Sequence, residues 1–243
     1  MLLEAAQAML REEGLGVGTD ALTFKRVFER VERDTGLRLT NASVIKRIWE
    51  NQADYQTDVL LGIAADEGLG EIEETFTALV PALEVLDVST PEARWEALRE
   101  LCRVGGNANI AALGESDNWS LWFSVWSQAT TGETTEQKQA LQSALLRGYE
   151  SVTELYEETY QALVDLLGLR VRAGMTMRQF TVSIGALAEG CTLRNRVDGD
   201  MNGLLLPTGH DGEIQEWTLF AVGVEALALR FFELDPYWTP PAA

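Results

Sequence analysis

Apolar residues recur at helical spacing along nearly the whole chain, and this pattern constrains the fold more than any other feature. One clear case has four apolar residues at i, i+3, i+4 and i+7, which share one face of a helix: Phe24, Val27, Phe28 and Val31. No segment shows the alternation of apolar and polar residues that is typical of a strand. The sequence therefore predicts an all-α fold with nine or ten helices.

Capping residues, glycine and proline divide the periodic segments into separate helices. Thr90-Pro91-Glu92 is a favoured start, because it supplies a capping hydroxyl, a proline in the first turn and an early acid. Breaks are predicted near Gly114, Thr131-Gly132, Gly168 to Gly174 and the loop DGDMNGLLLPTGHDG. Helices are predicted at the N-terminus, around Phe24 to Val31, from Thr40 or Asn41, and over about 52–66, 69–85, 91–112, 116–130, 134–168, 176–195 and 212–234.

Charge is distributed unevenly along the 243 residues, whose formal net charge is −19. Residues 1–50 are neutral, with eight basic and eight acidic side chains, so the whole negative charge lies in the remainder. Such asymmetry indicates two parts with different partners, only the first of which tolerates a polyanion. No apolar run is long enough for a membrane span, and no signal peptide or disulfide framework is apparent. We expect a cytoplasmic protein that does not contact a membrane.

The third helix has an apolar side and a small basic side. On a helical wheel the apolar side holds Val44, Ile45, Ile48 and Trp49, and the opposite side holds Ser43, Lys46, Arg47 and Glu50. A short amphipathic helix behind two others is the arrangement of a helix-turn-helix, which places the third helix in the major groove of DNA. The predicted DNA-binding residues are Lys25, Arg26, Arg38, Thr40, Asn41, Ser43, Lys46 and Arg47. An ordinary solvated face is the alternative interpretation.

The order of elements resembles the TetR family of bacterial transcriptional regulators. LLEAAQAMLREEGLGVGTDALT is similar to the opening helix of that family and its link into the second helix. SVIKRIWENQADYQTDVL is similar to the recognition helix and its exit, with Trp49 at the aromatic position that closes it and Tyr55 at an apolar position. The resemblance implies a three-helix DNA-binding domain over 1–51 and a helical ligand-binding and dimerisation domain over 52–243.

The resemblance also implies the function: a ligand-responsive DNA-binding regulator, expected to be a repressor, that acts as a homodimer with its recognition helix at about 41–50. Several positions depart from the family pattern. Lys46 stands where the family usually has tyrosine, and Gln52 where it usually has a phosphate-contacting lysine. The turn GLRLTNAS is longer than usual, and no basic residue precedes Arg11. A helical module that binds a ligand or a protein and has lost DNA binding is therefore the alternative.

An aromatic stripe follows in the acidic part of the chain. In WSLWFSVW four aromatic residues share one helical face: Trp119, Trp122, Phe123 and Trp126. They predict either a buried core helix or the wall of a pocket for a small apolar or aromatic ligand, where the family resemblance would place one. Tyr156 on the next long helix could supply a hydroxyl to such a ligand, and packing is the alternative for it.

The last two long helices carry repeating apolar faces that could close a four-helix bundle with a second subunit. The resemblance implies a homodimer through this pair. The predicted interface residues are Phe180, Ile184, Leu187, Cys191, Phe220, Val224, Leu227 and Phe231. Packing within one subunit is the alternative for the same residues.

Catalytic and metal sites have little support in the sequence. The chain has one histidine, His210, so a multi-histidine metal site is impossible. Asp198, Asp200 and Asn202 copy the first half of a calcium-binding loop, but Gly209 stands where a bidentate glutamate is required. No phosphate-binding or dinucleotide-binding glycine motif occurs. We predict neither an enzyme nor a metal or cofactor.

Overall fold

Helices account for most of the chain, as the spacing of apolar residues predicts. The computed structural model describes residues 1–14, 22–39, 48–65, 69–199, 203–208 and 212–239. Within these residues the helices are α1 (Leu2–Glu13), α2 (Phe24–Thr35), α3 (Gln52–Ala64), α4 (Leu69–Glu84), α5 (Pro91–Glu115), α6 (Asp117–Thr130), α7 (Glu136–Leu166), α8 (Met177–Val197) and α9 (Leu219–Phe231). None of the described helices combines the length and apolar character needed to cross a membrane.

Side-chain caps explain where several helices begin. The Thr90 hydroxyl accepts a hydrogen bond from the backbone N–H of Ala93, so the predicted start of α5 is confirmed. Thr176 and Gln179 form a reciprocal capping box at the start of α8. Thr218 caps α9 by accepting from the N–H of Ala221. Each cap satisfies a backbone donor that has no partner within its helix.

Within the part of the chain that the structure describes, four short strands form two antiparallel pairs. Strand β1 (Leu169–Val171) pairs with β4 (Phe232–Leu234), and β2 (Leu204–Thr208) pairs with β3 (Glu213–Trp217). The sequence pattern does not predict these strands, and the helix predicted from residue 212 is wrong over residues 213–217. The three-residue strands β1 and β4 are too short to show a period of two. In β2 three consecutive leucines precede Pro207, and in β3 the apolar residues Ile214 and Trp217 are three positions apart, so neither strand alternates apolar and polar residues.

The chain divides into two compact units that alternate along the sequence. Unit 1 consists of residues 1–68 and 117–150, and unit 2 consists of residues 69–116 and 151–243. The helix α7 therefore contributes its first half to unit 1 and its second half to unit 2. The predicted functional division after residue 51 stays a prediction, and the compact unit that contains residues 1–51 extends well beyond them.

The core of unit 1 is formed by apolar residues of α1, α2, α3, α6 and α7. Leu10, Leu22, Val59, Val125 and Leu145 are all nearly inaccessible to solvent and belong to one continuous cluster. The helix α6 therefore completes the core on which the first helices pack. Burial of this apolar surface is the main source of stability for the unit.

The core of unit 2 is built around α5, which packs against α4, α8 and α9. The closest approach is between α5 and α9. A β-carbon placed on Gly106 would lie 2.7 Å from the Cα of Ala221 and 2.8 Å from its Cβ. Only glycine at this position allows the two helix backbones to come so close.

Asn107 joins the hairpin β2–β3 to α5. Its amide nitrogen donates to the carbonyl of Glu216 at 2.9 Å, and its amide oxygen accepts from the N–H of Thr218 at 2.8 Å. Trp217, between these two residues, is completely buried and donates from Nε1 to the Thr208 hydroxyl at 2.7 Å. The hairpin is thus held at its open end by both polar and apolar contacts.

Trp238 fixes the chain after β4 near the end of α7. Its indole N–H donates to the carbonyl of Asp165 at 2.8 Å, and the guanidinium of Arg94 lies over its ring at 4.9 Å. Gly168, at φ +60°, accepts hydrogen bonds on its carbonyl from Arg94 and from the N–H of Asp235. The turn that leads into β1 therefore needs a glycine.

Candidate functional site

Three aromatic rings join the end of the predicted recognition helix to α2 and α3. Trp49 is buried, and its ring centroid lies 4.9 Å from that of Tyr55 and 6.4 Å from that of Phe24. The Trp49 indole donates to Asp58 at 2.6 Å, and the Tyr55 hydroxyl donates to the carbonyl of Leu2 at 2.9 Å. These contacts fix the position at which the chain leaves residues 40–47.

Two arginines of α2 form ion pairs with carboxylates of α1. Arg30 donates from both terminal nitrogens to Glu12, at 2.6 and 2.8 Å, and its side chain is 14% exposed. These contacts hold the pKa of the Glu12 carboxyl below its usual value. Arg26 pairs with Glu13 at 2.5 Å. Both pairs fasten α1 to α2, so the predicted DNA-binding residue Arg26 has a structural role.

Lys25 and Arg38 are more available for a phosphate. Their side chains are 84% and 78% exposed, and each has a carboxylate only at the outer limit of an ion pair, 3.9 Å from Glu29 and Glu32 respectively. Exposed pairs at this separation contribute little to stability, so the cost of exchanging the carboxylate for a phosphate is small.

The other predicted DNA-binding residues lie outside the described residues: Thr40, Asn41, Ser43, Lys46 and Arg47. Ile48, the first described residue after them, has a side chain that is 63% exposed. The wheel that predicts Ile48 on the buried side of a helix is therefore wrong for this residue, because Trp49 and Tyr55 provide the apolar anchor instead.

The aromatic stripe of α6 belongs to unit 1. Trp119, Phe123 and Trp126 stack in sequence, with ring centroids 5.5 and 5.4 Å apart. Trp122 makes an edge contact with Tyr149 of α7 at 5.3 Å. Trp122 and Trp126 also pack against the unit 1 core. Much of the ring surface is thus occupied by neighbouring rings, and a ligand beside the stripe stays a prediction.

Tyr156, predicted to face the same ligand, belongs to unit 2. Its hydroxyl accepts from the amide of Asn109 at 3.2 Å, and the same amide donates to the hydroxyl of Thr75 at 3.2 Å. Burial raises the pKa of Tyr156 to about 12. The structure gives this side chain a polar network of its own, and it does not place Tyr156 in one unit with the stripe.

The residues predicted for the dimer interface pack inside unit 2 of a single chain. Five are buried in the core, and the other three are partly buried against it: Phe180, Ile184, Cys191, Phe220 and Val224, then Leu187, Leu227 and Phe231. Packing within one subunit therefore accounts for the apolar periodicity of α8 and α9. A homodimer through these helices stays a prediction and would need their outward faces.

An open apolar groove lies between α4 and the second half of α7, and the sequence analysis misses it. The volume of the groove is about 410 Å³. Its lining consists of Ile72, Glu73, Phe76, Thr77, Val80 and Leu155. We call this feature the α4–α7 groove. The signal in the sequence was an apolar face on α4 with no basic residue, which resembles an ordinary acidic surface helix.

Metal and thiol chemistry find no geometric basis among the described residues. No group of three or more His, Cys, Asp or Glu side chains there could hold a metal ion. Cys102 and Cys191 are buried free thiols, and burial raises the pKa of Cys102 to about 12. A thiol with so high a pKa is a poor nucleophile at neutral pH.

Comparison with known proteins identifies no relative of this chain. No protein-family model matches the chain, and no match was found among curated proteins or solved structures.

Proposed function

We propose that this protein is a ligand-responsive DNA-binding regulator, with a helix-turn-helix of the TetR type in its first 51 residues. The observation that carries the proposal is the aromatic anchor. Trp49 and Tyr55 hold the end of the predicted recognition segment against α1, α2 and α3. Rigid attachment of this kind is what a recognition helix needs to present side chains to base edges in a fixed register.

Exposed cations flank the proposed recognition segment. Lys25 lies in the first turn of α2, and Arg38 lies two residues before residue 40. Both are suited to phosphate contacts, which fix the orientation of the protein on DNA, whereas Lys46 and Arg47 are proposed to read base edges. Arg26 is removed from the set of proposed phosphate contacts because it is paired with Glu13.

A homodimer would set the spacing of two recognition helices at about 34–36 Å, one turn of DNA, or a multiple of it. The outward faces of α8 and α9 carry exposed apolar side chains that suit this contact: Val182, Leu219 and Leu229 are 54%, 46% and 48% exposed. A ligand that favours a different dimer spacing would weaken DNA binding, and DNA would weaken ligand binding by the same factor.

Binding to the DNA that lies upstream of the protein's own coding sequence tests the proposal. Fluorescence anisotropy at low salt should show binding that weakens steeply as salt increases, because phosphate contacts release counterions. Lys25→Ala should weaken binding and reduce the slope of log K against log salt by about 0.9, the value for one phosphate contact. Lys46→Ala should reduce the preference for this DNA over a scrambled duplex of equal length.

Arg147→Ala is the matched control, since Arg147 is an exposed cation of the same unit on α7. It changes the net charge equally and should leave both the affinity and the salt slope nearly unchanged. Equal effects of Lys25→Ala and Arg147→Ala, or no binding at any salt concentration, would contradict the proposal.

The pairing of Arg26 and Arg30 with α1 favours a second candidate, a ligand-binding or protein-binding module without DNA affinity. Glu12 and Glu13 neutralise two of the cations that the second helix could offer to phosphates. This candidate predicts no DNA binding by the folded chain.

A further inference from the structure

The α4–α7 groove combines an apolar wall with a negative charge. Ile72, Phe76, Val80 and Leu155 supply the apolar surface, and Glu73 is the one charged residue of its lining. A volume of about 410 Å³ lies within the range of roughly 300–1,000 Å³ that is usual for small-molecule sites. The groove therefore suits a small molecule in size, and its charge indicates which class.

The helices that form the groove contain no basic residue near it. Residues 69–84 and 151–166 include no lysine and no arginine. Their carboxylates are Glu71, Glu73, Glu74, Glu84, Glu154, Glu157, Glu158 and Asp165. Glu157 lies 3.9 Å from Arg178 of α8, which offsets one of these charges. The remaining excess of carboxylates gives this part of the surface a negative potential that attracts cations and repels anions.

Glu73 is available to a ligand. It is exposed and has no hydrogen-bond or ion-pair partner among the described residues, whereas nearby Glu71 accepts a hydrogen bond from the Ser116 hydroxyl. Phe76, one turn further on the same helix, presents a partly exposed aromatic ring, which also attracts a cation. A carboxylate and an aromatic ring beside an apolar wall are complementary to an organic cation.

We propose that the α4–α7 groove binds small organic cations with an apolar body, with Glu73 facing the positive charge. The inference deepens the proposed function, because it names the ligand class to which the regulator would respond. Its test contains no DNA, so ligand binding and DNA binding can fail independently.

Two ions of nearly equal shape and opposite charge provide the test. Tetraphenylphosphonium and tetraphenylborate each present four phenyl groups, so a site that recognises only apolar surface binds both. Isothermal titration calorimetry with the full chain should show that the phosphonium binds at least tenfold more tightly than the borate. Glu73→Gln should weaken phosphonium binding by about threefold to tenfold, as expected for a partly exposed ion pair.

Glu74→Gln is the matched control, because Glu74 is the adjacent exposed carboxylate on α4 and does not line the groove. It removes the same charge and should leave the affinity within about twofold. Val80→Ser tests the wall: Val80 is 50% exposed, so the substitution should preserve folding and weaken binding of the phosphonium.

Equal affinity for the two ions would overturn the inference, as would equal effects of Glu73→Gln and Glu74→Gln. Absence of phosphonium binding at millimolar concentration would do the same. Thermal denaturation of each variant confirms that a loss of binding is not a loss of structure. Phosphonium binding without any DNA binding would support the inferred ligand class of the groove and contradict the proposed DNA-binding function.

Discussion

Replacement of Gly106 by alanine tests the close packing of α5 against α9. The added methyl group would lie 2.7–2.8 Å from the Cα and Cβ of Ala221, closer than carbon atoms can approach. One contact is backbone, so the helices themselves must separate. Overpacking of this kind costs about 1–3 kcal/mol, and alanine returns about 1 kcal/mol through its higher helix propensity. The gain offsets part of the cost, so we expect a net loss of up to about 2 kcal/mol.

Gly105 provides a control one residue away in the same helix. A methyl group there would meet only the end of the Leu79 side chain, at 3.2 Å, and a flexible side chain can move aside. Gly105→Ala should therefore be neutral or stabilise the protein by up to about 1 kcal/mol. The two variants differ in one position and share the same chemical change.

Thermal denaturation followed by circular dichroism measures the difference. A change of 1 kcal/mol shifts Tm by about 2–4 °C in a chain of this size. The two variants differ by the overpacking cost of about 1–3 kcal/mol, so they should melt roughly 2–12 °C apart. The two units can unfold in separate transitions, and the transition that responds is that of unit 2. If Gly106→Ala were as stable as Gly105→Ala, the close approach of the helices would be refuted.

Three further predictions concern the turn before β1, the dimer and alkaline pH. Gly168→Ala should destabilise the chain by about 2–4 kcal/mol in urea denaturation, because φ is +60° and the methyl would lie 2.3 Å from the Trp238 ring; an unchanged urea midpoint would contradict this. Leu229→Glu should convert a dimer to a monomer in light scattering, whereas Leu205→Glu on the exposed hairpin should not; a wild-type monomer would remove the dimer from the proposal. The unfolded chain releases the Tyr156 proton near pH 10 and the folded chain near pH 12. As pH rises from 10 to 12, the free energy of unfolding should therefore decrease by up to about 1.4 kcal/mol per pH unit. Tyr156→Phe should reduce that slope, and equal slopes in the two proteins would count against the buried hydroxyl.

Local features of the fold could be predicted from the sequence because their causes are local. The cap at Thr90 depends on residues within one turn, and so does the mostly helical character of the chain. The pairing of β1 with β4 depends instead on residues more than 60 positions apart, such as Leu169 and Leu234. A three-residue strand carries no periodic signal, so only the tertiary structure specifies it.

Apolar periodicity predicts which face of a helix is covered but not what covers it. Phe180 and Phe220 are predicted to face a second subunit, with packing inside their own chain as the alternative, and the structure places both in the core of unit 2. The same limit applies to charge. The sequence counts Arg26 as a cation available to DNA, but it does not show that α1 brings Glu13 against it.

The alternation of the two units along the chain has a consequence for synthesis on the ribosome. Residues 1–68 emerge first, but their unit lacks α6 and half of α7 until residue 150 has been made. Residues 69–116 emerge in between and must wait for residues 151–243. Domains usually fold as they leave the ribosome in N-to-C order. This chain instead carries two unfinished cores while residues 69–150 are made, and a fragment cut at residue 68 contains neither of them whole.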